Sequence, residues 1–343
     1  MPVAIAETTR GGIAESVHYG VVVAVDATGE VIASAGDPET VVFFRSSAKP
    51  FQAIPVIESG AADAFGFTPA ELALCCASHE GSPEHQRQVA AMLAKIGMSP
   101  ASLQCGCSFP AHEAEAAQVI LGGIEGSPLH CDCSGKHAGM LATIVHEGLS
   151  NHDYLDPAHP LQQRILGIMA EVMRVPMETI VLGTDGCSLP TFGAPVRTFA
   201  TAYAALAAPE RVPAGNGREH AAALDRLRAA MIAHPENVAG HGQFVTDLMA
   251  LSDGRIAAKS GAEGLICLAV PERGVGIAIR IMDGSFRTHA AVTVAALEQL
   301  GILDAATREA ILERHSLRLR NHNGRLVGEI RPVFQLKGAV ALA

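Results

Sequence analysis

Arg45-Ser46-Ser47-Ala48-Lys49-Pro50 is the stretch of sequence from which the fold is most readily predicted. The β-branched and aromatic run at 41–44 before it is typical of a strand, and the run at 51–58 after it is typical of a helix. Ser46 therefore lies where a strand passes into a helix, with Lys49 three residues further on. Residues at this spacing share a helix face, so the lysine amine can reach the serine hydroxyl.

A serine becomes a strong nucleophile when a nearby base takes its proton. A lysine can be that base if burial or a second cation lowers its pKa. The free N–H groups at a helix start also suit a developing oxyanion. The same six residues are equally consistent with Ser46 as an ordinary helix cap and Lys49 as a surface charge. Ser-x-x-Lys alone is too short to separate these two interpretations.

Composition excludes several classes of protein. The chain has 343 residues, of which 49% are hydrophobic and 17% charged, so we expect a folded protein with a large core. A net charge of −10 and the lack of Trp disfavour a nucleic-acid-binding surface, and no apolar run is long enough to span a membrane. The first residues lack the pattern of a signal peptide, so we expect a cytoplasmic protein. Its eight cysteines are then expected to be thiols or metal ligands rather than disulfides.

Strand-like segments lie towards both ends of the sequence, with helix-like segments between them. Residues 19–25 and 31–35 flank a hairpin signal, and residues 264–270 and 275–282 flank another. The sequence therefore predicts an α/β (α+β) fold in a single unit, 1–343. Segments of about 1–45 and about 255–343 are expected to form an antiparallel sheet, with a mainly helical insertion at about 46–254.

Two further polar clusters follow the Ser46 segment in sequence. Ala77-Ser78-His79-Glu80-Gly81-Ser82 comes directly after an apolar run, and Lys259-Ser260-Gly261 precedes a predicted strand. Ser-x-x-Lys, an inner Ser and then Lys-[Ser/Thr]-Gly is the order found in serine β-lactamases and penicillin-binding proteins. This order favours the catalytic interpretation of Ser46 and Lys49. Ser78 comes early and Ser-Asp-Asn is missing, which weakens a β-lactam substrate but leaves acyl transfer through a serine ester.

A second constellation contains cysteines. Cys131-Asp132-Cys133-Ser134-Gly135-Lys136-His137 is followed later by Thr184-Asp185-Gly186-Cys187. Thiolates are soft ligands that suit zinc, and Cys-x-Cys is a plausible ligand pair. The alternative is that Cys133 and Cys187 are small buried residues of tight loops. No Cys-x-x-Cys pair is present, which disfavours a structural four-cysteine zinc ribbon.

Taken together, four motifs resemble those of the asparaginase II family, the class 3 L-asparaginases. They are the segment from Arg45 to Gln52, Ala77-Ser78-His79, the segment from Cys133 to Gly139, and Asp185-Gly186-Cys187. The resemblance covers nearly the whole chain. It implies a fold similar to serine β-lactamases and glutaminases, a homodimer, and hydrolysis of L-asparagine to L-aspartate and ammonia.

The resemblance also implies roles for individual residues. Ser46 would be the nucleophile and Lys49 its base, while Ser78 and Lys259 would form a second Ser–Lys pair in the same proton network. A zinc site that assists substrate binding rather than activating water would fall on Cys133, Lys136 and Cys187. The remaining candidates, for the charged groups of the substrate, are Arg45, Asp185, Glu263 and His137.

One expectation about charge and three open alternatives complete the prediction. Lys49 is expected to be neutral because other cations lie near it, so that it can deprotonate Ser46. Three alternatives stay open: a glutaminase or other small amidase of the same fold, a penicillin-recognising serine protein with little turnover, and a zinc or redox module built on the Cys-x-Cys pairs.

Overall fold

The computed structural model describes residues 1–111 and 113–338. The chain divides into two compact units. Unit 1 contains Met1–Ser47, Ala194–Pro213 and the chain from Asp247 onward, and unit 2 contains Ala48–Gly193 and Ala214–Thr246.

The strands, in chain order, are β1 Val3–Arg10, β2 Ile13–Asp26, β3 Val31–Ala35, β4 Val41–Phe43, β5 Val181–Thr184, β6 Pro190–Pro195, β7 Ala257–Gly261, β8 Leu265–Val270, β9 Val275–Ile281, β10 Arg318–Arg320 and β11 Leu326–Pro332. The helices are α1 Lys49–Gln52, α2 Ile54–Glu58, α3 Ala61–Ala64, α4 Pro69–Cys75, α5 Pro83–Lys95, α6 Glu113–Leu121, α7 Ser134–Glu147, α8 Pro160–Met173, α9 Val196–Ala207, α10 Ala221–Ala233, α11 Pro235–Val238, α12 Phe244–Leu251, α13 His289–Gln299 and α14 Ala305–Arg314.

Unit 1 is organised around an eight-stranded sheet in the order β10-β11-β1-β2-β9-β8-β7, with β3 also paired to β2. Every described pairing in this sheet is antiparallel, for example Val23 of β2 opposite Ala278 of β9. Strands β8 and β9 are apolar and buried, as expected for the centre of a sheet. The predicted antiparallel sheet from N- and C-terminal segments is therefore confirmed.

Helix α9 packs on this sheet, although it lies within the segment predicted as the helical insertion. Contact is close because β9 carries Gly276, where a Cβ atom would lie 1.9 Å from the carbonyl oxygen of Ala200. Phe44 stacks on Phe199 of α9, with ring centroids 4.1 Å apart. This stack fixes the end of the segment that leads into Ser46.

Unit 2 is mainly helical, and α7 is buried along most of its length. Two glycines let α7 approach α4 closely: a Cβ at Gly135 would lie 2.4 Å from the carbonyl oxygen of Leu74, and one at Gly139 would lie 2.7 Å from the sulfur of Cys75. Strands β5 and β6 form an antiparallel pair. The α4–α7 packing brings the loop after α4, which carries Ser78, close to the start of α7, which carries Lys136.

Two local predictions differ from the structure. The helix expected over 51–58 is two short helices, α1 and α2, separated at Ala53. Strand β1 was not predicted, since its sequence VAIAETTR mixes alanine with polar residues. In the described part of the chain, no helix is both long and apolar enough to cross a membrane.

Candidate active site

Arg45 and Ser46 begin a 3₁₀ turn, Arg45–Ala48, that runs directly into α1. Arg45 has a φ of 47°, a left-handed conformation that is unfavourable for a residue with a Cβ atom and is often found at functional sites. Ser46 is half-buried. Its neighbour Ser47 is completely buried and donates a hydrogen bond of 3.0 Å to the carbonyl oxygen of Lys259. The two adjacent serines thus differ in exposure, and Ser46 is the one accessible to a substrate.

Lys49 is completely buried in unit 2. Its Nζ atom donates to the carbonyl oxygen of Ala77 at 2.5 Å and to Oγ of Ser78 at 2.8 Å, and it lies 3.4 Å from Oδ2 of Asp132. These three acceptors match the three hydrogens of an ammonium group. The interpretation of Lys49 as a surface charge is therefore wrong.

The pKa of Lys49 does not shift in the direction that a neutral amine requires. Burial acts to lower its pKa, but the negative charges of Asp132 and Cys133 act in the opposite direction. The balance leaves the pKa of Lys49 above its ordinary value. Asp132 was not singled out from the sequence, although it lies between two cysteines that were.

His79 connects the Ser78 loop to the start of α7. Its backbone N–H donates to the carbonyl oxygen of Asp132 at 3.2 Å, and its Nδ1 accepts a bond of 3.1 Å from the N–H of Gly81. Nε2 must then carry the ring hydrogen, and it bonds Oγ of Ser134 at 2.9 Å. Burial, followed by the nearby charges of His85 and Lys49, holds the pKa of His79 well below its usual value, which keeps the ring neutral.

The three residues expected to bind zinc lie together and are buried. Nζ of Lys136 donates to Sγ of Cys187 at 3.2 Å, and the neighbouring side chains of Cys131 and Cys187 lower the pKa of Cys133. Burial alone would lower the pKa of Lys136, but Cys133, Cys187 and Asp185 raise it. Two thiols and an amine in one buried cluster are a donor set that fits zinc.

The neighbourhood of this cluster contains further predicted and unpredicted groups. Asp185 is half-buried, and its carboxylate accepts a bond of 2.8 Å from the N–H of Gly186. His137 is completely buried, with Nδ1 bonded to the hydroxyl of Tyr154 at 2.8 Å, and burial lowers its pKa to about 3. The thiol of Cys131 also contacts Cys105, so the row of sulfur atoms is longer than the motifs indicate.

The other candidates belong to unit 1. Lys259 is completely buried on β7, and its Nζ donates to the carbonyl oxygen of Ser260 at 2.7 Å. Glu263 is exposed, with a φ of 63° in the turn between β7 and β8. The charges of Glu263 and Arg45 both act on Arg280 of β9, so these three side chains lie near one another.

The model of the L-asparaginase II family matches residues 6–332 of this chain. The chain belongs to that family. This confirms the resemblance carried by the four motifs.

Two solved structures illustrate what this member of the L-asparaginase II family is similar to. Mglu in its native form is 15% identical, with 83% of this chain and 66% of that chain covered and a TM-score of 0.35. A β-lactamase from Mycobacterium bovis is 14% identical, with 87% of this chain and 95% of that chain covered and a TM-score of 0.42. The chain thus spans about two thirds of the length of Mglu. No curated protein matches the chain.

Proposed function

We propose that the protein hydrolyses L-asparagine to L-aspartate and ammonia through an acyl-enzyme formed on Ser46. Membership of the L-asparaginase II family supports the substrate. The observation that carries the proposal is the bond between Nζ of the buried Lys49 and Oγ of Ser78, because it links the expected base to the expected second serine.

In the proposed reaction, Oγ of Ser46 attacks the carbon of the side-chain amide while Lys49 takes the hydroxyl proton. Backbone N–H groups at the start of the 3₁₀ turn stabilise the oxyanion. The C–N bond then breaks, and the proton on Lys49 passes through Ser78 to the departing ammonia. Water hydrolyses the aspartyl ester and restores Ser46. Lys259 is proposed to pair with Ser78 in this relay, as the resemblance implies.

Lys49 must lose a proton before it can act as a base, since its hydrogen-bonding pattern is that of an ammonium group. We propose that Cys133, Lys136 and Cys187 hold a zinc ion. Such an ion would offset the negative thiolate charge that raises the pKa of Lys49, and would assist the binding of the substrate. Lys136 itself must be deprotonated to bind metal, so occupancy should fall as the pH falls.

Recognition of the substrate's charged ends is proposed for Arg45, Asp185 and Glu263, with His137 as a further candidate. An arginine side chain suits a carboxylate, and the two acidic side chains suit the α-ammonium group. A homodimer and a cytoplasmic location stay predictions from the resemblance and the composition.

The experiment that tests this function measures ammonia release from L-asparagine, with and without zinc, in wild type and in Ser46→Ala. We expect wild type to release ammonia and to accumulate an aspartyl adduct detectable by intact-mass spectrometry after rapid quenching. Ser46→Ala should lose both signals. Ser47→Ala is the matched control: it removes a buried hydrogen bond and some stability but should retain the adduct. Near-full activity in Ser46→Ala would refute the nucleophile assignment.

The same preparation separates the alternatives. Faster turnover of L-glutamine than of L-asparagine would indicate a glutaminase. A long-lived penicilloyl adduct without asparagine turnover would indicate a penicillin-recognising protein. A zinc module would unfold when the metal is chelated, whereas we expect chelation to raise KM and leave the protein folded.

A further inference from the structure

Arg280 lies on the sheet face that carries the Ser46 segment. Directly opposed residues of neighbouring strands share a face, and Arg280 of β9 is opposite Leu265 of β8, which is opposite Gly261 of β7. The side-chain direction of Gly261 points to the Ser46 segment, since a Cβ there would lie 3.0 Å from Oγ of Ser47 and 3.1 Å from the carbonyl oxygen of Phe44. Arg280 therefore points to the same side of the sheet.

Lys259 lies on this face as well, in the adjacent row. It is opposite Cys267, which is opposite Ala278, and Ala278 lies two residues from Arg280 on β9. Alternate residues of a strand point to the same face, so Lys259 and Arg280 share a face of the sheet, two strands apart and in adjacent rows.

One N–H group of the Arg280 guanidinium has no partner among the described residues. Its Nε atom is buried and makes no hydrogen bond within the part of the chain that the structure describes. A half-buried arginine with an unsatisfied N–H is unfavourable unless a ligand completes its hydrogen bonds.

The distance between Arg280 and the Ser46 segment is also appropriate for a small substrate. Two strand spacings, about 10 Å, separate β7 from β9. An extended arginine side chain together with a four-carbon amino acid bridges such a span. A carboxylate held by Arg280 thus leaves the other end of the molecule near Ser46, next to Arg45.

We propose that Arg280 binds the α-carboxylate of the substrate and restricts the enzyme to free amino acid amides. This inference rests on the proposed function. The planar guanidinium suits two parallel hydrogen bonds to a carboxylate. The exposed carboxylate of Glu263, which lies close enough to act on Arg280, would face the α-ammonium group of the same substrate. Asp283, a second acidic neighbour, is engaged by Nδ1 of His18 at 2.5 Å.

The test compares L-asparagine with its α-carboxamide, which lacks the carboxylate, in wild type and in Arg280→Gln. We expect kcat/KM for L-asparagine to fall about 10- to 100-fold in the variant, mostly through KM. Turnover of the α-carboxamide should be low in wild type and should change less than about twofold in the variant. Arg255→Gln is the matched control, because Arg255 of the same unit bonds Asp304 and Thr307 instead.

Binding of L-aspartate, measured by calorimetry, keeps this inference separate from the proposed function. If wild type binds L-aspartate and Arg280→Gln does not, Arg280 is supported even in the absence of asparagine turnover. Equal L-aspartate binding by wild type and Arg280→Gln would overturn the inference. So would a lack of binding by wild type, or an equal loss of activity towards both substrates.

Discussion

His220 offers a test of how charge contributes to the stability of unit 2. Its ring is buried, with Nδ1 bonded to Oε1 of Glu58 at 2.6 Å and Nε2 bonded to Oε2 of Glu171 at 2.7 Å. A carboxylate only accepts hydrogen bonds, so both ring nitrogens must carry hydrogen and the imidazole must be charged. Burial lowers its pKa, but the two carboxylates prevail and the pKa of His220 is raised. The bonded ring joins α2 and α8 to the turn that precedes α10.

The expected magnitude follows from these bonds. A hydrogen bond to a charged group contributes about 1.5–3 kcal/mol when it is buried. The side chains of Glu58 and Glu171 are 32% and 43% exposed, so solvent screening reduces the contribution. We therefore expect His220→Gln to lower the free energy of unfolding by about 1–3 kcal/mol in total.

The effect should depend on pH. Because the folded pKa is raised, the stabilisation is fully present below the unfolded pKa of about 6.5 and is lost as the pH rises through the folded pKa. Urea denaturation of wild type and His220→Gln should therefore give a large difference in unfolding free energy at about pH 5.5 and a small one at about pH 9.

His159→Gln is a suitable control for His220→Gln, since the ring nitrogens of His159 bond only backbone groups of Ser150 and Leu161. A chelator should be present throughout, because ligand atoms of Glu171, Glu219 and His220 lie within 4.8 Å of one another and could hold a cation. An unfolding difference that stays the same at both pH values would refute the charged-histidine explanation.

Three further predictions test the packing and the hydrogen bonds described above. Gly276→Ala should destabilise the protein by about 3 kcal/mol in thermal unfolding, because the new methyl group overlaps the backbone of α9; Gly167→Ala, in open space on α8, should not destabilise it. His79→Asn keeps the hydrogen bond from the N–H of Gly81 but loses the one to Ser134 of α7, so we expect kcat for asparagine to fall about tenfold. The control His159→Asn should lower stability and leave kcat unchanged. Thr68→Ala removes the capping box of α4 and should cost about 1 kcal/mol in urea denaturation; no measurable change would contradict that cap.

The parts of the fold that could be predicted from the sequence are those with a regular pattern. Strands β8 and β9 are continuous apolar runs around a turn, so their positions agree closely with the expected strands at 264–270 and 275–282. Strand β1 lacks such a pattern and is held in place by its partners β2 and β11. Pairing between distant segments is information that a local sequence window does not contain.

The candidate site likewise contains some residues that could be proposed from the sequence and others that could not. Ser78, Lys136 and Cys187 could be proposed from the sequence because their motifs have a fixed order along the chain. Asp132 and Arg280 could not be proposed in this way, because their significance comes from residues distant in sequence. Asp132 contacts Lys49, and Arg280 lies in the sheet row through Gly261. The expected neutrality of Lys49 counts only the nearby cations and omits Asp132 and Cys133, which the fold places beside it and which act to raise its pKa.

The pairing of β2 with β9 has a consequence for how the protein is made. Gly20 is opposite Ile281, so the N-terminal strands leave the ribosome long before their central partner exists. All of unit 2 precedes Asp247 and is synthesised before β7, β8 and β9. During this interval the apolar run of β2 has only β1 and β3 as neighbours and an unpaired edge that can join other nascent chains. The first strands to be synthesised are thus among the last to be enclosed. Until then, cellular factors rather than the sequence must keep them apart from other nascent chains.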